Sequence, residues 1–258
     1  MDLQLKDKVV VITGSGQGLG KGIAEAFLKE GAKVTVTDIL EERIKDVEKE
    51  FNKNYDSKKI HFYFGNLVEQ TEIDKCVGSV ISKFGKIDVL IANLGSGRGT
   101  VDWDIPEEDW NKMLDINFTG ARRITSTVLP HMIKNGRGTV TFISSIAGVE
   151  IIGAPIHYSV AKAAVIAYAK GLSKKVAVKN IRVNIVCPGN IYFENGTWDH
   201  KIKENKQKVM EMLETKVPLK RFAAPEEIAN LVAFISSEKM SFMTGSCLIL
   251  DGGQTVTI

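Results

Sequence analysis

Cysteine is scarce in this chain and poorly placed for cross-linking. Cys76, Cys187 and Cys247 are far apart, odd in number and form no CxxC pair, which argues against a disulfide framework and against a metal site of the zinc type. No run reaches about 18 apolar residues, so no membrane span is expected. The stretch Met1-Asp-Leu-Gln-Leu-Lys-Asp-Lys8 has no apolar core of signal-peptide length, and a reducing, cytoplasmic setting is the expectation. The net charge is only +3 and no basic stripe interleaves with aromatics, so neither nucleic acid nor a membrane surface is an expected partner. What is left is an ordinary globular composition, 44% hydrophobic and 25% charged over 258 residues, enough for one large α/β domain or two small ones.

Short β-branched runs alternate with longer amphipathic stretches. Strands are predicted at Val9–Thr13, Lys33–Asp38, Ile60–Phe64, Asp88–Ala92, Thr139–Ser144, Ile181–Cys187 and Cys247–Leu250. Helices are predicted at Gly18–Lys29, Glu41–Phe51, Gln70–Phe84, Pro106–Lys134, Tyr158–Val178 and Pro225–Ser237. Continuous apolar strands separated by helices indicate a parallel sheet covered on both faces. With no linker and no fixed-period repeat, residues 1–258 read as one doubly wound domain. The polar segment Asn190–Lys216 interrupts the rhythm between a strand end and the next helix, where lids occur, and is expected to cover a substrate.

Two features carry chemistry. After the first strand comes Thr13-Gly14-Ser15-Gly16-Gln17-Gly18-Leu19-Gly20, where glycines permit a tight turn and let backbone N–H groups approach a pyrophosphate at the next helix's N-terminus. Asp38 ends the second strand, twenty residues after Gly18, where an acid accepts hydrogen bonds from adenosine ribose hydroxyls. Asp38 also suits the cap of the following helix. A unit charge at ~4 Å and an effective dielectric of ~20 repels a 2′-phosphate by about 4 kcal/mol, roughly three decades in affinity. With Ile39 next to Asp38 and Gln17 where a basic residue could answer a phosphate, NAD is favoured over NADP. The second feature is Tyr158-Ser-Val-Ala-Lys162. A phenol and an ammonium group four residues apart share one helix face. The positive charge is expected to lower the phenol pKa by up to about 3 units, which would fit Tyr158 for proton exchange with an alcohol or carbonyl.

With these motifs in order, the chain resembles the short-chain dehydrogenase/reductase family, in its single-domain branch, from about Leu5 to Gly253. Thr13–Gly20 is similar to the family's TGxxxGxG. Asp115-Ile-Asn117-Phe-Thr-Gly resembles the segment of its catalytic asparagine, and Ile143-Ser-Ser145-Ile-Ala-Gly that of its serine. The family's serine precedes its tyrosine by thirteen positions, which selects Ser145. Pro188-Gly189 and Asp251-Gly252-Gly253 match two further signatures. The chain departs from the family at Ala92-Asn93-Leu94-Gly95, at Asn66 in place of a frequent Asp, at Phe193 in place of a frequent threonine, and in the glycine-rich Gly95-Ser-Gly-Arg98-Gly-Thr.

The resemblance implies a Rossmann fold with a seven-stranded parallel sheet and hydride transfer between nicotinamide C4 and a secondary alcohol or ketone. Tyr158 becomes the acid/base, Lys162 its modulator and ribose ligand, Ser145 a hydrogen-bond partner of the substrate oxygen, and Asn117 the anchor of a proton-passing water. Cofactor contacts are expected from Gly14, Ser15, Gln17, Gly18, Leu19, Gly20, Asp38, Ile39, Asn66, Leu67, Asn93, Gly95, Tyr158, Lys162, Pro188, Gly189 and the backbone of Ile191. Arg98, Glu150, His157, Tyr192 and Trp198 lie in loops after strand ends and are candidates for the substrate pocket. The expected substrate is a sugar, polyol or similar small molecule. The alternatives are an NADPH-dependent 3-oxoacyl carrier-protein reductase, for which the basic Lys201, Lys203, Lys206 and Lys208 would suit an acidic partner, and a dinucleotide-sensing protein without turnover. Family members pair through helices corresponding to Pro106–Lys134 and Tyr158–Val178, so a homotetramer or homodimer is expected.

Overall fold

All four residues of strand β1 (Val9–Ile12) are buried, because helices cover both sides of the strand. Alternation along the strand divides the core in two. Val9 and Val11 face a cluster shared with α3 (Gln70–Phe84), α5 (Gly120–Lys134) and α6 (Ile156–Val176), through residues such as Ile73, Ile124 and Val165. Val10 and Ile12 face a second cluster with α1 (Gly18–Lys29), α2 (Glu41–Asn54) and α8 (Pro225–Ser236), through Phe27, Phe51 and Val232. Each such side chain contributes about 1.5–3 kcal/mol relative to exposure. This computed structural model describes residues 1–256, so the last two positions of the expected domain lie outside the described residues.

The remaining strands are β2 (Lys33–Asp38), β3 (Ile60–Phe64), β4 (Val89–Ala92), β5 (Gly138–Ile143), β6 (Ile181–Pro188) and β7 (Cys247–Leu250). All pair in parallel, in the order β3-β2-β1-β4-β5-β6-β7. The order reverses between β1 and β4. Parallel strands deliver their C-terminal ends to one edge, and that reversal opens a crevice there. Every strand end carrying an expected site residue reaches this edge: the Thr13 loop after β1, Asp38 on β2, Asn93 after β4, Ser145 after β5 and Gly189 after β6.

Two helices differ from the sequence expectation. The helix expected over Pro106–Lys134 is α4 (Glu107–Leu114) and α5 joined by a π turn at Asp115–Thr119. Asn117 explains it. Its side-chain Nδ2 donates to the Met113 carbonyl at 3.1 Å, the acceptor that an α turn would give to Asn117's own backbone N–H. The segment expected as a lid contains helix α7 (Thr197–Lys216), kinked at Asn205, which has extended angles of φ −156° and ψ 87°. Asn205 Oδ1 accepts from Lys208 N at 3.0 Å and so caps the second half of the helix.

Candidate active site

The glycine loop is built on hydroxyls. Thr13 Oγ1 accepts from the backbone N–H groups of Asn93 and Leu94, both at 2.9 Å. Ser15 N donates to Thr37 O at 2.7 Å, its hydroxyl donates to Ile12 O at 2.8 Å, and that hydroxyl accepts from Thr37 N at 2.9 Å. Asn93 Nδ2 donates to the carbonyls of Thr13 and Gly14, both at 3.0 Å. Ser15 and Asn93, expected as cofactor contacts, therefore spend their side chains on shaping the loop. Asn93→Ala removes two hydrogen bonds to loop carbonyls. At about 1 kcal/mol each, nucleotide affinity is expected to fall about 10- to 100-fold with the fold retained, as read by titration calorimetry.

The glycines are needed at close approaches. A Cβ on Gly20 would lie 2.2 Å from Gly14 O, and one on Gly18, whose φ is +54°, would lie 2.5 Å from the Phe193 ring. Gln17 precedes α1 with extended backbone, and Leu19 packs partly into the second core cluster. At Gly16 a Cβ would meet Asp38 Oδ2 at 2.7 Å, so only glycine leaves that oxygen facing the loop. Asp38 Oδ1 accepts from Leu40 N at 3.0 Å and lies 3.5 Å from Arg43 Nη1. The Oδ1 atom thus holds the turn into α2 and leaves Oδ2 facing the loop. Ile39 is 52% exposed beside Asp38, an apolar surface suited to a base. Asn66 Oδ1 accepts from Val68 N at 3.2 Å, and Leu67 is buried.

Four side chains meet at the far end of the crevice. Tyr158 is half-buried on α6, and the Lys162 Nζ one turn on lies 5.8 Å from its ring centroid. Lys162 is 3% exposed, and its Nζ donates to Ile143 O at 3.1 Å. Ser145 hydrogen-bonds the Tyr158 phenol and also accepts from Ala147 N at 3.1 Å. Asn117 is fully buried; its Oδ1 accepts from Ser96 N and its Nδ2 donates to Ser96 O, both at 3.1 Å. A Cβ on Gly95 would touch Asn117 Oδ1 and Lys162 Nζ together, at 2.6 and 2.8 Å, which places these two groups side by side.

The electrostatics correct one expectation. The phenol of Tyr158 is raised, not lowered, among the protein's own groups. Burial is the largest cause; the Ser145 hydrogen bond acts in the lowering direction, and Cys187 raises it. The same burial pushes Lys162 down to about 8. Cys187 is a buried thiol raised by its hydrogen bond with Cys247 and by burial; the two Sγ atoms lie 3.4 Å apart.

Beyond the strand ends, Gly189 N donates to Leu250 O at 3.0 Å, and a Cβ on Gly189 would lie 2.7 Å from Asp251 Cα, so Pro188-Gly189 and the Asp251 turn hold each other. Ile191 forms an isolated bridge with Ala223, closed by Tyr192 N to Ala223 O and Ala223 N to Asn190 O. That ladder turns Ile191's own N–H and carbonyl to the opposite side, where a carboxamide could be met.

The substrate-pocket candidates fall into different contacts. Arg98 Nη2 donates to Asn195 O at 3.0 Å, bridging to the segment that precedes α7. Glu150 Oε2 accepts from Val256 N at 3.0 Å. His157 is 1% exposed, stacked edge-on to Trp110 at 5.8 Å, and its Nδ1 has no hydrogen-bond partner. The rings of Tyr192 and Trp198 pack on Phe222, at 5.9 and 5.3 Å. One organiser escaped notice in the sequence. Asp199, 5% exposed, accepts from Asn195 N, Lys203 Nζ and the Tyr192 hydroxyl, and these donors hold its carboxyl below the usual range. Its one sequence signal is the i,i+4 pairing with Lys203. Among the described residues, no group of three or more His, Cys, Asp or Glu could hold a metal, and no helix is long and apolar enough to cross a membrane.

Glycines packed where any side chain would collide with backbone, an acid at the end of β2 and a phenol beside a buried ammonium define the class: a doubly wound α/β oxidoreductase built for a dinucleotide. A family model described as enoyl-(acyl carrier protein) reductase matches residues 14–255. A 3-oxoacyl-[acyl-carrier-protein] reductase of Thermotoga maritima is 34% identical over 254 residues, covering 98% of this chain and 100% of that protein. An NAD-dependent glycerol dehydrogenase of Listeria innocua is 32% identical, covering 99% of this chain and 96% of that protein. The crystal structure of L-sorbose reductase from Gluconobacter frateurii, complexed with NADPH and L-sorbose, superposes with a TM-score of 0.94 at 31% identity, covering all of both chains. The chain belongs to the short-chain dehydrogenase/reductase family, NAD(P)-dependent oxidoreductases that act on CH–OH groups.

Proposed function

We propose that the protein transfers a hydride between NAD and a secondary alcohol or its ketone, the substrate being a sugar, polyol or similar small molecule. The observation that carries this reading is the Tyr158 phenol, hydrogen-bonded to Ser145 and overlain by Lys162 Nζ. Tyr158 exchanges the alcohol proton, and Ser145 orients the substrate oxygen and stabilises charge developing on it. Asn117 and Lys162, adjacent at Gly95, provide the polar route by which that proton reaches solvent. The residues present suit a dinucleotide. The loop of Gly14, Gly18 and Gly20 accepts a pyrophosphate where a Cβ could not stand, Asp38 Oδ2 accepts from ribose hydroxyls, and Ile191 offers its backbone to the carboxamide. When bound, nicotinamide takes up or returns the hydride and, oxidised, adds a positive charge to the site.

Preference for NAD rests on Asp38 Oδ2 facing Gly16. Arg43, 3.5 Å from the other oxygen, offsets part of the repulsion towards a 2′-phosphate. We therefore expect kcat/KM with NAD to exceed that with NADP by about 10- to 1000-fold, the upper end being unscreened Asp38. Asp38→Asn removes the repelling charge and frees Arg43, so the ratio should fall at least about tenfold. Initial rates with both cofactors across sugars, polyols, steroids and hydroxyacyl compounds test this, and a wild-type preference for NADP overturns the assignment.

A second reading has its own support. The rim residue Arg43 and the carrier-protein reductase relative at 34% identity favour NADPH-dependent reduction of a 3-oxoacyl thioester. Faster NADPH oxidation with an acetoacetyl thioester than with any sugar ketone would decide for it. Self-association belongs to the proposal as well, as a homodimer or homotetramer. Ile156 and Val160 on α6 are 49% and 45% exposed, and Ala163 and Ala167 continue the same exposed stripe. Light scattering reads the state directly.

A further inference from the structure

The segment after β4 places three alternate glycines against the catalytic cluster. A Cβ at Gly95 would lie 2.6 Å from Asn117 Oδ1, one at Gly97 would lie 3.5 Å from Tyr158 Cζ, and one at Gly99 would lie 2.7 Å from His157 Cε1. The intervening residues anchor the segment. Ser96 exchanges two backbone hydrogen bonds with the Asn117 amide, and its hydroxyl accepts from Arg98 N at 3.3 Å. Arg98 Nη2 reaches across to Asn195 O on the lid at 3.0 Å. Asn195 is itself fixed, its N–H donating to Asp199 Oδ2 at 2.9 Å.

The three positions are not equivalent. At Gly95 and Gly99 an added methyl would displace the residues that perform or support the chemistry. At Gly97 it would sit at ordinary van der Waals distance from Tyr158, beside the carbon that bears the reactive hydroxyl, and disturb nothing in the protein. A substrate oxygen must come within about 2.6–3.2 Å of that hydroxyl, so the groups flanking the reacting carbon share this space. We propose that Gly97 sets the size of the group admitted beside the reacting carbon, and that Arg98 holds this wall in place by tying it to the lid. The inference rests on the alcohol–ketone reading and adds the specificity determinant of its site.

Two diols test it, butane-2,3-diol and hexane-3,4-diol, whose carbinol carbons are flanked by methyl and ethyl groups. Gly97→Ala should keep the melting temperature and the NAD affinity. Its kcat/KM should fall about 10- to 200-fold more for hexane-3,4-diol than for butane-2,3-diol, the range for one methylene against a pocket wall. Arg98→Ala should act in the opposite sense, shifting the ratio towards the larger diol and speeding amide exchange over residues 195–199. Arg98→Lys, which keeps a donor, should stay near the wild type in both readouts. Equal effects of Gly97→Ala on the two diols, or an Arg98→Ala protein with unchanged ratio and exchange, overturn the inference and leave the dehydrogenase reading standing. A wild type that oxidises neither these diols nor any alcohol among the sugars, polyols, steroids and hydroxyacyl compounds, with NAD or NADP, overturns both.

Discussion

Tyr158→Phe is expected to lower kcat by about 10²- to 10⁴-fold, the usual worth of a positioned acid or base, with nucleotide affinity nearly unchanged. The substitution removes one oxygen and leaves the ring, so the contacts with Gly97 and with Lys162 Nζ persist. Ser145 loses one partner but keeps the Ala147 N–H. The pH profile makes the test sharper. Burial raises the phenol, so alcohol oxidation, which needs the phenolate, should climb with pH through the alkaline range, and carbonyl reduction, which needs the phenol, should decline over the same range. Both slopes should vanish from the residual activity of the Phe variant. A variant with wild-type kcat would remove the mechanism altogether.

Lys162→Met is the second large effect, and it separates activity from stability. Catalysis should drop by about 10²-fold or more, because the site loses the amine beside the Tyr158 ring that adjoins Asn117 on the proposed proton route. Stability should respond differently. Burial lowers Lys162 from its ordinary value to about 8. A lysine depressed in this way destabilises the fold at pH below about 8, and the penalty fades as pH rises towards the unfolded value of ~10.4. The difference corresponds to about 3 kcal/mol at neutral pH. Against this, the variant leaves Ile143 O without its donor, a cost of about 1–3 kcal/mol. Without nucleotide, the variant should therefore melt no lower than the wild type at pH 7. Its relative stability should then decline by several degrees between pH 8 and pH 10, as scanning calorimetry would record. A variant that melts well below the wild type at pH 7 would contradict the buried-ammonium account.

Strand positions were legible because burial on both faces writes continuous β-branched runs. The strands expected at Val9–Thr13 and Ile181–Cys187 form over Val9–Ile12 and Ile181–Pro188. Order and spacing singled out Asn117, Ser145, Tyr158 and Lys162 as candidates, and the structure brings these four side chains into one cluster. Other features depend on side-chain partners distant in sequence. The π turn arises from Asn117 capturing a carbonyl one turn back, which hydrophobic periodicity does not register. Asn93, expected as a cofactor contact, braces Thr13 and Gly14, eighty and seventy-nine positions earlier, which no local pattern announces. Tyr192 and Trp198, candidates for the substrate pocket, pack on Phe222, a partner that residue type alone does not specify. The sign of the Tyr158 shift was misjudged because a charge pair taken at a surface-like dielectric omits the desolvation that burial imposes.

The extra residue in the Asp115–Thr119 turn sets a helical phase. A regular helix advances about 100° per residue, so one added residue rotates everything downstream by roughly that angle. Met113 before the turn points to Asn117 and the catalytic cluster, while Ile124, Val128 and Met132 after it point into the sheet. Deleting a single residue between them would restore an unbroken spiral and swing one of these two sets out of place. The amide that joins the active site and the packing of α5 are thus geared together, so the length of this segment cannot change without unmeshing one of them.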